Sequence, residues 1–225
     1  MDINQISEQL LLKVKLGKPT NEIIQYLKGC SFIKLNHALR DDDSKKAFWI
    51  NIYNAFFQIL RKDGIEKPDI YRKKLIEIAG HPFSLDNIEH GILRKYRFKF
   101  SLGYLPNFFT SKTIKLLAVS KIDYRIHFAL NCGAESCPPI AFYSPEQLDT
   151  QLNTATLSFL ESETEYFPDK KEIHISRLFQ WYLGDFGGHR GIRKILKEKL
   201  QIETSGVKLI YRKYSWEEQL HNFSV

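Results

Sequence analysis

The sequence predicts an α+β fold, a helix-rich single domain with a small, mainly antiparallel sheet. Three observations carry that prediction. Apolar residues recur at helical spacing over most of the chain. The strand-like runs are short, few and not in regular alternation with the helices, which argues against a doubly wound sheet. At 225 residues, 43% hydrophobic and 13% aromatic, the chain holds enough apolar mass for a sizeable core.

Taken in order, residues 1–43 read as a helical N-terminal extension packed on the core. Ile6, Leu10 and Val14, then Ile23, Ile24 and Leu27, fall on helical faces broken at Gly17-Lys18-Pro19 and Gly29. The main α+β domain is expected over 44–225. It opens with a helix capped by Ser44 and running to about Lys62, acidic before its start and basic at its end as the helix dipole prefers. That helix is apolar nearly all round, so it is expected to be central and buried. Its polar exceptions, Asn51, Asn54 and Gln58, share one stripe. Such amides either bond loop backbone or orient a catalytic group.

Ser84 is expected to cap a helical turn carrying Asp86, Glu89 and His90, with Glu89 within reach of Arg94. A helix is expected near Thr113–Val119 and a buried strand over Asp123–Asn131. Ser144-Pro145-Glu146-Gln147 has the cap, first-turn proline and capping-box signature of a helix reaching about Leu160. A strand at Lys171–Ile175, a helix after Ser176 ending at Gly187-Gly188, a basic helix over Ile192–Leu200 and a strand in VKLIYR complete the series.

Charge and cysteine usage narrow the function classes. Basic residues outnumber acidic ones 33 to 26, giving +7, but they are spread along the chain, which reads as a solvated surface and makes nucleic acid an unlikely partner. Three cysteines with no disulfide spacing point to a reducing compartment. The start of the chain lacks the basic, then apolar, pattern of a secretory signal. No window approaches ~18 continuous apolar residues, so no membrane span is expected, and no membrane is expected among the partners. The expected location is cytoplasmic.

The blocks KAFWINIYNAF, SLDNIEHGILR, DYRIHFALNCGAESCPPI, FQWYLGDFGG and YSWEEQL, in that order, resemble the successive blocks of the domain of unknown function 547 family. The resemblance implies a single α+β domain, found in bacteria and in plant proteins alongside coiled coils, and similar in fold to papain-like or transglutaminase-like cysteine hydrolases. The chain departs from many bacterial relatives in extra residues between Tyr96 and Lys121 and in lacking an exported leader. The family name carries no assigned chemistry.

Within RIHFALNCGAESCPPI, Cys132 is the candidate nucleophile. It sits where a strand breaks into Gly133-Ala134, whose backbone N–H groups are candidates to stabilise an oxyanion. A thiol nucleophile needs an imidazole and a group that fixes it. Strand periodicity sends His127 to the face opposite Cys132, which favours His90 beside Glu89, unless the chain turns at Asn131 and brings the thiol to His127. Glu89 and Asn54 are the orienting candidates. Arg125, Arg94 and Asn131 are candidates for substrate binding, the arginines through a substrate carboxylate or else bridged to acidic neighbours. The bland readings are a buried small hydrophobe for Cys132 and an interior imidazole for His127.

A metal set of Cys132, Cys137, His127 and His90 is set aside because the cysteine spacing does not make a tight knuckle, and no cofactor is implied. The expected activity is a cysteine-dependent hydrolase or acyl-transferase on an amide or thioester of an unknown small-molecule or peptide substrate. The alternative is a non-catalytic protein-interaction module. The clusters FQWY and YLPNFF would suit protein contacts but are expected in the core.

Overall fold

The computed structural model describes residues 2–224. The chain begins with α1 (Ile3–Lys15), α2 (Asn21–Gly29) and α3 (Phe32–Ala38), followed by the long α4 (Asp42–Lys62). The buried face of α1, including Ile6, Leu10 and Leu11, belongs to the same core as α4. Helix α4 starts earlier than Ser44. Its cap is Asp41, whose carboxylate accepts from the Ser44 N–H at 2.8 Å, so Ser44 lies inside the first turn. At the other end Gly64 N–H bonds Arg61 C=O and Ile65 N–H bonds Leu60 C=O, a pairing that satisfies the last carbonyls and stops the helix. Nearly every residue from Ala47 to Gln58 is buried, as expected of a helix with no polar face.

Next come the short α5 (Asp69–Arg72) and an antiparallel hairpin of β1 (Ile76–Ile78) and β2 (His81–Phe83). Ser84 and Asn87 then cap reciprocally: Asn87 N–H donates to Ser84 Oγ and Ser84 N–H to Asn87 Oδ1. The segment they open is a π-helix, Asn87–Leu93, which buries both Glu89 and His90. Helix α6 (Lys112–Leu117) packs nearby.

Residues 123–131 are not a strand. Asp123 accepts from the Arg125 N–H and caps a 3-10 helix, Tyr124–Phe128, followed by irregular chain. The apolar run misled because both faces of this segment are buried, which erases the difference between strand and helix periodicity. Ile126 enters the core built on α4, while Phe128 enters a second cluster. That cluster is made by α7 (Leu148–Glu163), β4 (Glu172–Ile175), α8 (Leu178–Trp181), Phe186 and α9 (Gly188–Leu200). Fully burying Phe128 there is worth about 2–3 kcal/mol. The residue between these two anchors is His127.

A 3-10 turn, Pro145–Gln147, leads into α7. Ser144 makes no side-chain cap bond, and its N–H donates to Gln151 Oε1 rather than to Gln147, so the expected capping box does not form. Strand β4 pairs antiparallel with β3 (Glu165–Phe167) and parallel with β5 (Lys208–Tyr211). The strands thus form two small sheets, not one, with antiparallel pairing in the majority. The fold is a helix-rich α+β domain. Among the described residues no helix is long and apolar enough to cross a membrane.

One aromatic expectation fails. Phe179 of FQWY is buried, but the YLPNFF segment is on the surface, with Phe108 80% and Phe109 97% exposed.

Candidate active site

The junction of the two clusters encloses a cavity of about 190 Å³ lined by Cys132, Cys137, His90, His127, Glu89 and several aromatic residues. At ~30 Å³ per water it holds roughly six waters, room for one side chain or a short acyl group.

His127 is fixed on three sides. Its Nε2 lies 2.9 Å from Asp185 Oδ2. The ring stacks on Tyr182 with centroids 3.8 Å apart, and Phe186 packs at its edge. Burial pulls the imidazole below its ordinary value against the pull of Asp185, so it is neutral near pH 7 and its Nε2–H donates to the carboxylate. Nδ1 is then the nitrogen able to accept a proton. Asp185 stays ionised: burial opposes its charge, but the His127 hydrogen bond and the Arg94 guanidinium hold its carboxyl below the ordinary range. Arg94 Nε reaches the same Oδ2, and neither side chain of that ion pair is exposed. Arg94 therefore pairs with Asp185 rather than with Glu89, and it has no surface left for a substrate carboxylate.

Glu89 and His90 form the opposite part of the lining. Tyr182 donates to Glu89 Oε1 at 2.6 Å and Tyr53 to Oε2 at 3.3 Å. Burial works against ionisation of Glu89, but His90, the Tyr182 hydroxyl and Arg94 outweigh it and lower the carboxyl. His90 Nδ1 accepts from Arg94 at 2.8 Å, and its Nε2 faces Asp86 at 3.7 Å. Burial first, then the neighbouring Arg94, lowers its imidazole. With both ring nitrogens turned to Arg94 and Asp86, His90 is not directed at a thiol.

The loop carrying Cys132 is clamped by the asparagines. Asn54 Nδ2 donates to Ala129 C=O at 2.9 Å and its Oδ1 accepts from Asn131 N–H at 2.9 Å. Asn51 does the same for both backbone groups of Tyr143. Of the two readings of this stripe, backbone bonding is the one observed. Asn131 is fully buried; it donates to Pro138 C=O and accepts from Gly133 N–H, which braces residues 131–138 rather than reaching a substrate. Gly133 is at φ 70°, and a Cβ there would meet the Phe57 ring at 2.5 Å, so only glycine fits.

The half-buried Cys132 is hydrogen-bonded to neither imidazole. Its sulfur has the Tyr214 hydroxyl at 3.6 Å, and its N–H donates to Cys137 Sγ at 3.1 Å. Tyr214 also lies 3.1 Å from Cys137 Sγ. Burial opposes charge on Cys137, yet the bonds from Cys132 and Tyr214 win and pull its thiol down to about 7. Cys132, bonded to that sulfur and buried beside it, is raised. Within the pair, Cys137 is therefore the lowered sulfur and Cys132 the raised one. Of the two N–H groups expected to stabilise an oxyanion, that of Gly133 is taken by Asn131 Oδ1.

Arg125 lies outside the cavity, bridged to Asp123 and Asp149. The sequence reading did not single out Asp185, Tyr182, Tyr53 and Tyr214, and it used Cys137 only as a metal ligand. The signal for Asp185 was present in YLGDFGG, since a carboxylate among aromatic residues and glycines must be buried with a partner. Nothing local marks Tyr53 or Tyr214. Among the described residues no group of three or more histidine, cysteine or carboxylate side chains is arranged to hold a metal.

A family model described as "Protein of unknown function, DUF547" matches residues 37–160, more than half of the chain. The match includes Glu89, His90, His127, Cys132 and Cys137 and stops before Asp185. No curated protein and no solved structure gives a match.

Proposed function

We propose, for a chain that belongs to this family of unknown function, a cysteine-dependent hydrolase or acyl-transferase acting on an amide or thioester with a small acyl part. The observation that carries the reading is the His127–Asp185 pair at 2.9 Å opening on the same cavity as Cys132. A carboxylate that fixes one ring nitrogen leaves the other as base toward a nucleophile, the logic shared by catalytic triads. Bringing the sulfur to the imidazole takes a shift of the Cys132 loop when substrate fills the cavity; catalytic contacts often tighten only in that complex.

In the proposed reaction the Cys132 sulfur attacks the acyl carbon as its proton passes to His127 Nδ1. The carbon–nitrogen or carbon–sulfur bond to the leaving group breaks, and the imidazolium returns the proton to that group. The thioester left on Cys132 is then cleaved by water or by an acceptor amine. Glu89 with His90 forms a polar wall for the rest of the substrate. All three cysteines are free thiols, in keeping with a cytoplasmic location.

The test is acyl-enzyme trapping. Incubation with an activated acetyl ester or thioester is expected to add one acetyl group to Cys132, detected by mass spectrometry, and His127→Ala is expected to abolish the adduct. An adduct formed at the same rate on Cys30, or one insensitive to His127, would defeat the proposal. A non-catalytic interaction module is the second reading, favoured by the uncovered aromatic segment after Tyr96.

A further inference from the structure

From Lys95 to Lys121 the sequence holds six basic residues and no acidic one: Lys95, Arg97, Lys99, Lys112, Lys115 and Lys121. Within this stretch residues 96–107 fold back on themselves. Phe98 N–H bonds Leu105 C=O at 2.8 Å and Asn107 N–H bonds Tyr96 C=O at 2.6 Å, with a bridge between Arg97 and Pro106. The resulting hairpin and the two residues after it leave Phe98, Phe100, Tyr104, Leu105, Phe108 and Phe109 exposed, with Phe100 at 74%. The same chain buries Phe48, Phe57, Phe83 and Phe128 completely, and its strongly exposed phenylalanines are the four between Phe98 and Phe109. An uncovered apolar patch of this kind marks an interaction surface.

We infer that this hairpin docks the protein on the surface of an anionic lipid bilayer. The charge pattern selects that occupant. Lys112 and Lys115 are exposed and have no ion pair among the described residues. Arg97 and Lys74 share with Phe98 and Phe109 the lining of an open cavity of about 510 Å³, so cations and apolar side chains surround one opening. Its one carboxylate, Asp86, is neutralised by Lys99, both of its oxygens 2.8 Å from the amine. Aromatic rings that enter the headgroup region, flanked by cations that meet anionic lipid, are the chemistry of interfacial attachment. A protein partner would need an apolar groove rimmed with carboxylates in one matching orientation; a bilayer presents both features in any orientation. The attachment is to the surface and involves no spanning segment, and it is independent of the chemistry of the 190 Å³ cavity.

The test is co-sedimentation of the full chain with vesicles of phosphatidylcholine alone and of phosphatidylcholine mixed with phosphatidylserine. Binding is expected only to the mixed vesicles, and it is expected to weaken as salt is raised. Phe100→Ser/Phe108→Ser/Phe109→Ser is expected to remain in the supernatant. Lys112→Glu/Lys115→Glu is expected to bind about tenfold or more weakly. These positions are exposed, so unchanged thermal melting is the control for folding. The inference is overturned if the protein ignores both vesicles, if it binds the two equally, or if the aromatic variant binds as well as the parent. It is also overturned if the hairpin instead forms a dimer in solution that the aromatic variant dissolves.

Discussion

Asp185 joins His127 to Arg94 through a single oxygen: Oδ2 receives both His127 Nε2 and Arg94 Nε, and the whole junction is shut off from solvent. Under the proposed reaction, Asp185→Asn keeps the size of the side chain but removes the charge that holds the imidazole. Acylation of Cys132 is expected to slow about 10²–10⁴-fold, and the pH dependence of the remaining rate is expected to change. Pre-steady-state acylation kinetics over a pH series checks this. An unaltered rate and profile in a folded variant would remove Asp185 from the mechanism.

The two sulfurs titrate as a pair, with the first proton lost near the value of about 7 set at Cys137. Ultraviolet thiolate absorbance is expected to show that step, and Cys137→Ser is expected to abolish it while leaving Cys132 raised by burial alone, below its value in the parent pair. A step near 7 that survives in Cys137→Ser would assign the acidic sulfur to Cys132 instead.

Asn54→Ala leaves the Ala129 carbonyl and the Asn131 N–H buried without partners. Each orphaned group costs about 1–3 kcal/mol, so a loss of roughly 2–6 kcal/mol is expected in urea unfolding. The cut end of the clamp is the loop before Cys132, so labelling of that thiol by iodoacetamide is expected to rise at the same time. A neutral substitution would mean that the amide is not what holds this loop.

Stability is expected to fall with acid in two stages. His90 and His127 are held below 6.5, so the unfolded chain binds protons that the folded chain refuses. Stability is full above about pH 6.5 and declines below it, as each pH passes toward the folded values. Glu89 and Asp185, held below 4.5 and 3.8, add stability that is present above those values and is lost as pH drops to their folded ones. The urea midpoint is therefore expected to fall between about pH 7 and pH 5, before the carboxylates titrate. His127→Gln, which keeps an N–H for Asp185, is expected to flatten that interval. A parent protein equally stable across it would contradict the neutral, buried assignment of both rings.

How much of this was legible in the sequence depended on the range of the interactions. Helix α4 was legible because its signals are local: an acidic start, a basic end, a glycine stop and an apolar interior. The asparagine stripe was legible as a demand for partners, although the backbone partners of Asn51 and Asn54 lie 75 or more residues away. Residues 124–128 were not, because burial on two sides removes the polar face that distinguishes a strand from a turn of helix. For the same reason the argument that aimed His127 away from Cys132 had no basis in the folded chain. Asp185 reaches the site from 58 residues downstream of His127, and no local pattern encodes that meeting. The exposed phenylalanines were misread because composition reports apolar mass without reporting where it goes.

The hairpin after Tyr96 ends in a contact with mechanical meaning. Gly184 N–H bonds Leu102 C=O at 2.7 Å, and a Cβ added to Gly103 would lie 2.9 Å from the Asp185 backbone nitrogen. The tip of that loop therefore rests against the backbone of the residue whose carboxylate steadies His127. A side chain at Gly103 would push on Asp185, so this one glycine is what lets the outer hairpin sit against the inner site without disturbing it.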